Sequence, residues 1–215
     1  VRPDPRAQDC KRLRFGEEFT RVLTWNSAFV FDFFGVFKTM LRPLSRITVR
    51  AVPGGPRHIG RITLGPVTLR CRIGRSGITH RKTEGDGASP HATLQAVRGF
   101  WRQDKRQPPM TRVPLRPIRP GDGWCEVPGD RNYNRLVKKP YAASHEDMMR
   151  KDDLYDVVLE LDWNRRPRQQ GKGSAIFLHL AREEGGPTAG CVGIFRNRID
   201  FVMSRLSPKT RIVLG

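Results

Sequence analysis

The sequence predicts a mainly β domain, a sandwich or barrel-like fold with a few short helices. Three observations carry that reading. Short stretches alternate apolar and polar residues, 21 glycines and 17 prolines interrupt them, and the apolar fraction is only 37%. A chain of 215 residues has room for one ordinary domain with a good-sized core, and no internal repeat divides it.

The elements follow in order. "ITVRAV", "HIGRITLG" and "PVTLRCRIG" alternate from Ile47 onward and predict a meander with one buried face. In the third stretch Val67, Leu69, Cys71 and Ile73 share one parity, so Cys71 reads as an inert core thiol. The Gly-, Asp- and Pro-rich "THRKTEGDGASPHATLQAV" is a loop leading into another extended piece, and the proline-rich 102–122 segment should cross the surface irregularly. Trp124 and Cys125 read as core. "SHEDMMRKDD" at 144–153 predicts a short helix, with Ser144 as N-cap and Asp147 three residues on. "LYDVVLELDW" alternates cleanly, placing Tyr155, Val157, Leu159, Leu161 and Trp163 on one face and making Tyr155 a packing residue. Near the end Ile199, Val202, Met203 and Leu206 follow helical spacing, and "TRIVLG" returns as a strand.

Residues 1–45 form a basic lead-in without pattern, and the stretch before Met40 is expected to be a leader or a non-native extension. Its apolar piece, "SAFVFDFFGVF" at 27–37, is too short to span a membrane and is broken by Asp32, and no clear small-x-small cleavage site follows.

Lys and Arg number 40 against 21 Asp and Glu, a net charge of +19. That balance invites a polyanion such as nucleic acid, an anionic lipid surface or an acidic wall polymer. The charges run from Lys11 and Arg12 to Arg211 instead of forming one block. No helix carries a basic stripe and no aromatic platform interleaves them, so specific nucleic-acid recognition is not expected. Cys10, Cys71, Cys125 and Cys191 form no C-x-x-C pair and the five histidines complete no zinc spacing, so neither metal nor cofactor is expected.

The chemistry concentrates in "GSAIFLHLAREEGGPTAGCVGI" at 173–194. "GSAIFLHL" reads as a strand, with Ala175, Phe177 and His179 on one face and Ile176, Leu178 and Leu180 on the other. "CVGIF" reads as a second. Antiparallel pairing around the intervening loop would set His179 beside Cys191, with directly opposed Cβ atoms about 5 Å apart. A cysteine nucleophile acts as thiolate, and an adjacent imidazole takes its proton or stabilises it as an ion pair. Gly190 permits a tight bend and a close substrate approach, and backbone N–H groups in the bend suit an oxyanion. The competing reading is a buried histidine that happens to precede a buried cysteine. Asp86 in "EGDG" is a candidate substrate contact and equally a turn former, while His80 and His91 read as surface residues.

The same block resembles the YkuD-like L,D-transpeptidases: a strand-borne His, a loop, then a Ser/Thr-x-Gly-Cys turn. "HRKTEGDGASPHATLQ" is similar to the family's glycine-rich stretch before a Thr-Pro-x-Gly-Thr-Phe segment, and "RNYNRLV" and "LYDVVLELDWN" resemble segments between these landmarks. The resemblance runs from about Ile47 to Ile194. It departs where Ser-His-Gly-Cys becomes Thr188-Ala189-Gly190-Cys191, where Val192 and Gly193 stand in place of a following Arg, and where Ser89-Pro90-His91-Ala92-Thr93 loosens the Thr-Pro motif.

The resemblance implies a β-sandwich catalytic domain over 46–215 acting on peptidoglycan stem peptides in the cell envelope or periplasm. It implies Cys191 as nucleophile and His179 as base toward the thiol and acid toward the leaving amine. A carbonyl around Leu180 would orient the imidazole, and Thr188, Ala189 and Gly190 would shape the oxyanion turn. The thioester would pass to an acceptor amine, making a cross-link, or to water, making an L,D-carboxypeptidase or endopeptidase, and carbapenem-type β-lactams would acylate the same sulfur. The reading from another class is a non-catalytic basic protein that binds wall polymer or nucleic acid.

Overall fold

The structure is a computed structural model that describes residues 42–215. The leading segment, with Cys10 and the 27–37 stretch, lies outside the described residues.

The three predicted alternating stretches become β1 (Arg46–Ala51), β2 (Ile59–Leu64) and β3 (Val67–Arg72), an antiparallel meander as expected. Ile47, Val49, Ile62, Leu64 and Cys71 point into one core cluster. The glycine-rich loop carries two short strands, β4 (Ile78–Thr79) and β5 (Ser89–Pro90), which pair in parallel. β6 (Ala92–Leu94) and β7 (Ala96–Trp101) follow. The proline-rich segment contributes β8 (Leu115–Pro117), which pairs with β7 alone. An edge is where a strand ending in proline is tolerated.

β9 (Asp122–Cys125), β10 (Arg135–Lys138) and β11 (His145–Asp147) form a separate three-stranded sheet in the order β10-β9-β11. β11 occupies the segment predicted as a helix. His145, Glu146 and Asp147 pair with Cys125, Trp124 and Gly123 across the ladder, and Ser144 donates its hydroxyl hydrogen bond to Glu126. Sheet pairing therefore overrides a helical pattern that had few apolar contacts to offer.

β12 (Val157–Leu161), β13 (Phe177–Leu180), β14 (Val192–Ile194) and β15 (Arg211–Leu214) complete a ten-stranded sheet ordered β6-β15-β1-β2-β3-β14-β13-β12-β7-β8. A flat sheet of that size would be roughly 45 Å wide at about 4.8 Å per strand. Side chains from β6 at one edge to β7 near the other nevertheless meet in one cluster, so the sheet curls around it. The helix α1 (Arg196–Ser204), predicted from its spacing, buries Ile199, Val202 and Met203 in the same cluster.

The opposite face of β7, β12 and β13 meets the small sheet. Phe100, Val158 and Phe177 pack there with Trp124, Ile118 and Met148. Trp124 and Phe177 meet edge to face with centroids 5.0 Å apart. The mainly β, sandwich-like prediction thus holds, with one helix among the described residues in place of several. No helix among the described residues is long and apolar enough to cross a membrane.

Candidate active site

β13 and β14 are parallel, with Leu178 level with Val192, His179 with Gly193 and Leu180 with Ile194. This corrects the antiparallel hairpin. A connection of this length is long for a hairpin loop, whose usual span is about 2–5 residues. Instead it runs back along the sheet as a crossover. Thr188 bridges Gly74, donates its N–H to Ile73 O at 3.1 Å, and accepts from Arg75 N–H at 3.0 Å.

Both members of the pair still reach one cavity. Cys191 directly precedes Val192 and so sits level with Phe177, whose N–H lies 3.3 Å from Sγ. His179, two residues on and on the same face, is a diagonal neighbour, a relation that puts Cβ atoms roughly 7 Å apart and within reach of a long side chain. Both residues line one cavity of about 300 Å³. The thiol donates to Ala175 O at 3.1 Å. Nδ1 of His179 lies 2.7 Å from Leu180 O, an acceptor only, so Nδ1 carries the proton and Nε2 presents its lone pair.

Burial pushes the Cys191 thiol up to about 12, against the Phe177 N–H that favours thiolate. Burial likewise pushes the His179 imidazole down to about 4, against the Leu180 carbonyl that favours the protonated ring. The resting pair is neutral thiol and neutral imidazole. Of the two relations open from sequence, burial disfavours a standing ion pair.

The turn before Cys191 is fixed from three sides. Gly190 has φ +144, and a Cβ there would stand 2.8 Å from Ala88 O, so the position requires glycine. The Thr188 hydroxyl donates to Cys191 O at 2.7 Å and accepts from Gly190 N–H at 3.2 Å. Ser89, fully buried, donates to Gly190 O at 2.8 Å and accepts from Gly74 N–H at 3.0 Å. Ala189 is exposed on the cavity rim.

Asp86 is placed as a turn former. Its carboxylate accepts from Lys82 Nζ at 2.6 Å, Thr83 N–H at 2.9 Å and Ala88 N–H at 2.8 Å. Burial works against its charge, but Lys82 and the two N–H groups outweigh it and hold the carboxyl below the usual range. Lys82, which Asp86 holds, is the residue of the two that lines the cavity. His80 and His91 stack on each other at 3.8 Å, and neither lines the cavity.

Sequence reasoning missed one wall. Tyr155 belongs with the cluster containing Cys191, because its alternation breaks before β12 begins. Its ring lies edge-on to His179 with centroids 5.3 Å apart. Arg150 sits over that ring at 5.2 Å and pairs with Glu146 and Asp152. Glu146, Arg150 and Tyr155 all line the cavity, and burial raises the Glu146 carboxyl. Reading 144–153 as a helix concealed the first two, and a false parity concealed the third. Ser89 carried a usable signal, its place in the segment similar to Thr-Pro.

Among the described residues no group of three or more His, Cys, Asp or Glu is placed to hold a metal ion. Cys71, Cys125 and Cys191 are free thiols. Cys71 is buried as predicted, and desolvation drives its thiol to about 12.

No curated protein and no solved structure matches the chain. The family model for the L,D-transpeptidase catalytic domain, YkuD, matches residues 57–214, most of the chain and nearly all of the described fold. A curled β-sheet that brings a strand-borne histidine and a Gly-Cys turn to one cavity is therefore that of a chain belonging to the YkuD family of L,D-transpeptidase catalytic domains, which act on peptidoglycan.

Proposed function

We propose that this protein is a cysteine acyltransferase that cross-links peptidoglycan stem peptides through a thioester on Cys191. The observation that carries the reading is the shared cavity, which Cys191 and His179 both line, together with the Leu180 carbonyl that leaves Nε2 of His179 unprotonated.

The donor carbonyl lies between the L-centre of a diamino acid and a terminal D-alanine. As Sγ attacks it, the thiol proton passes to Nε2 and the carbonyl electrons move to oxygen. Because both groups start neutral, charge forms only as the sulfur–carbon bond forms, where a pre-set donor helps most. That donor is the Cys191 N–H. Ser89, which does not line the cavity, holds the Gly190 carbonyl by a hydrogen bond, and a trans peptide points the next N–H away from that carbonyl. Collapse of the tetrahedral intermediate breaks the carbon–nitrogen bond, and the imidazolium gives its proton to the departing D-alanine amine. An acceptor amine, deprotonated by the same Nε2, then attacks the thioester and releases the thiol.

Leu180 O keeps the imidazole in the required tautomer, and Tyr155 fixes its ring plane. The cavity lining mixes cations (Arg75, Lys82, Arg150 and Arg182) with Glu84, Glu126 and Glu146, which suits a stem peptide bearing both carboxylates and an amine. The site of action follows the substrate, in the cell envelope.

The test is incubation with tetrapeptide muropeptides, with and without an acceptor amine, read by mass. Dimers and a thioester adduct on the intact protein are expected, both lost in Cys191→Ala with the fold retained. Tripeptide alone would mean that water is the acceptor, and full activity in Cys191→Ala would remove the nucleophile from the reading. A carbapenem should leave a mass adduct on the wild type and none on Cys191→Ala.

A further inference from the structure

Strand register builds a charged surface that no sequence window displays. Arg50 pairs with Arg61, and Arg61 pairs with Arg70, so three arginines stand in one row across β1, β2 and β3. On the flank, Arg46 pairs with Arg211 across β1 and β15. Between these rows lie Thr48, Thr63 and Thr68.

All five arginines are exposed, and their neighbours Ile47, Val49, Ile62, Cys71 and Ile212 point into the core, so the guanidinium groups share the outer face. The four strands contain no Asp or Glu. None of the five arginines joins an ion pair among the described residues. Like charges directly opposite each other across strands disfavour the sheet. An external anion relieves that repulsion.

We propose that the outer face of β15-β1-β2-β3 is a docking surface for the anionic peptidoglycan polymer, separate from the catalytic cavity. The proposal rests on peptidoglycan being the substrate. Its stem peptides carry free carboxylates at repeated intervals, which a row of guanidinium groups can engage as forked pairs. The face offers threonines and no aromatic ring, so it lacks the stacking platform of a single-strand nucleic-acid binder. It also lacks an apolar anchor for a lipid surface, since the one large apolar side chain in the open among the described residues is Met110, on the proline-rich segment. None of the five arginines lines the cavity, so the surface would hold the polymer while the site works on its stems.

The test compares the wild type with Arg50→Gln/Arg61→Gln/Arg70→Gln and with a control, Arg112→Gln/Arg131→Gln/Arg198→Gln, which removes the same charge from dispersed exposed positions. Co-sedimentation with purified insoluble peptidoglycan should weaken about tenfold in the row variant and much less in the control, with added salt erasing the difference. Turnover of small soluble muropeptides should be the same in all three. Equal weakening in the two variants would overturn the proposal, reducing the effect to net charge. Row-dependent binding to duplex DNA or anionic vesicles, with none to peptidoglycan, would overturn it as well. Absence of muropeptide turnover in the wild type would instead count against the acyltransfer reading, so the two failures are distinguishable.

Discussion

A histidine buried without a counter-ion leaves a trace in pH dependence. His179 titrates near 4 in the folded protein because burial disfavours its charge, whereas an unfolded chain binds that proton near 6.5. Below about 6.5 the unfolded state holds more protons, so stability should fall with pH from there to about 4, by about 3 kcal/mol in all. Denaturant melts across that window should show the slope, and His179→Gln should flatten it. The acid limb of the acylation rate should lie near the same folded value. Ser89 makes a different prediction, because it acts on a peptide and not on the sulfur. In Ser89→Ala, acylation by substrate or carbapenem should slow roughly tenfold to a hundredfold. Alkylation of Cys191 by iodoacetamide, which develops no oxyanion, should be unchanged, and Ser89→Thr should restore acylation. Parallel loss of both reactions would show that the hydroxyl merely keeps the sulfur in place.

At the scale of elements, the arginine row should cost the sheet stability when no polymer is bound. Arg61 is the middle member, facing Arg50 on one side and Arg70 on the other. Arg61→Gln should therefore raise the unfolding free energy by roughly 0.2–1 kcal/mol at low salt, a sign opposite to that of most substitutions. A drop in thermal or urea stability would show that the stem of Arg61 packs more than its charge repels. The crossover between β13 and β14 gives a contrasting case. Gly190→Ala puts a methyl against Ala88 O at a positive φ, with a cost of about 1–3 kcal/mol. Acyl transfer should be lost while Cys191 still takes up an alkylating agent, as read by mass on the peptide that contains it.

The whole molecule carries a net charge of +19, and the five outer-face arginines are only part of it. Raising ionic strength from about 0.01 to 0.15 M shortens the screening length from about 30 to 8 Å, so the melting temperature should rise with sodium chloride over that interval. No rise would mean that local ion pairs, such as those around the buried Asp122, already balance the field. Much of this protein was written locally. Alternation in "ITVRAV" and "TRIVLG", the spacing of Ile199 with Val202, and the identities of His179, Gly190 and Cys191 depend on chain chemistry and short-range periodicity, which sequence displays directly. What only the tertiary structure decided was partnership across distance. The return of 181–190 as a crossover, the capture of Glu146 in a sheet, the turn of Tyr155 toward the imidazole and the alignment of three arginines each depend on which strand lies beside which. Burial, which leaves the thiol and imidazole both uncharged, is likewise set by everything packed around them and by no residue alone.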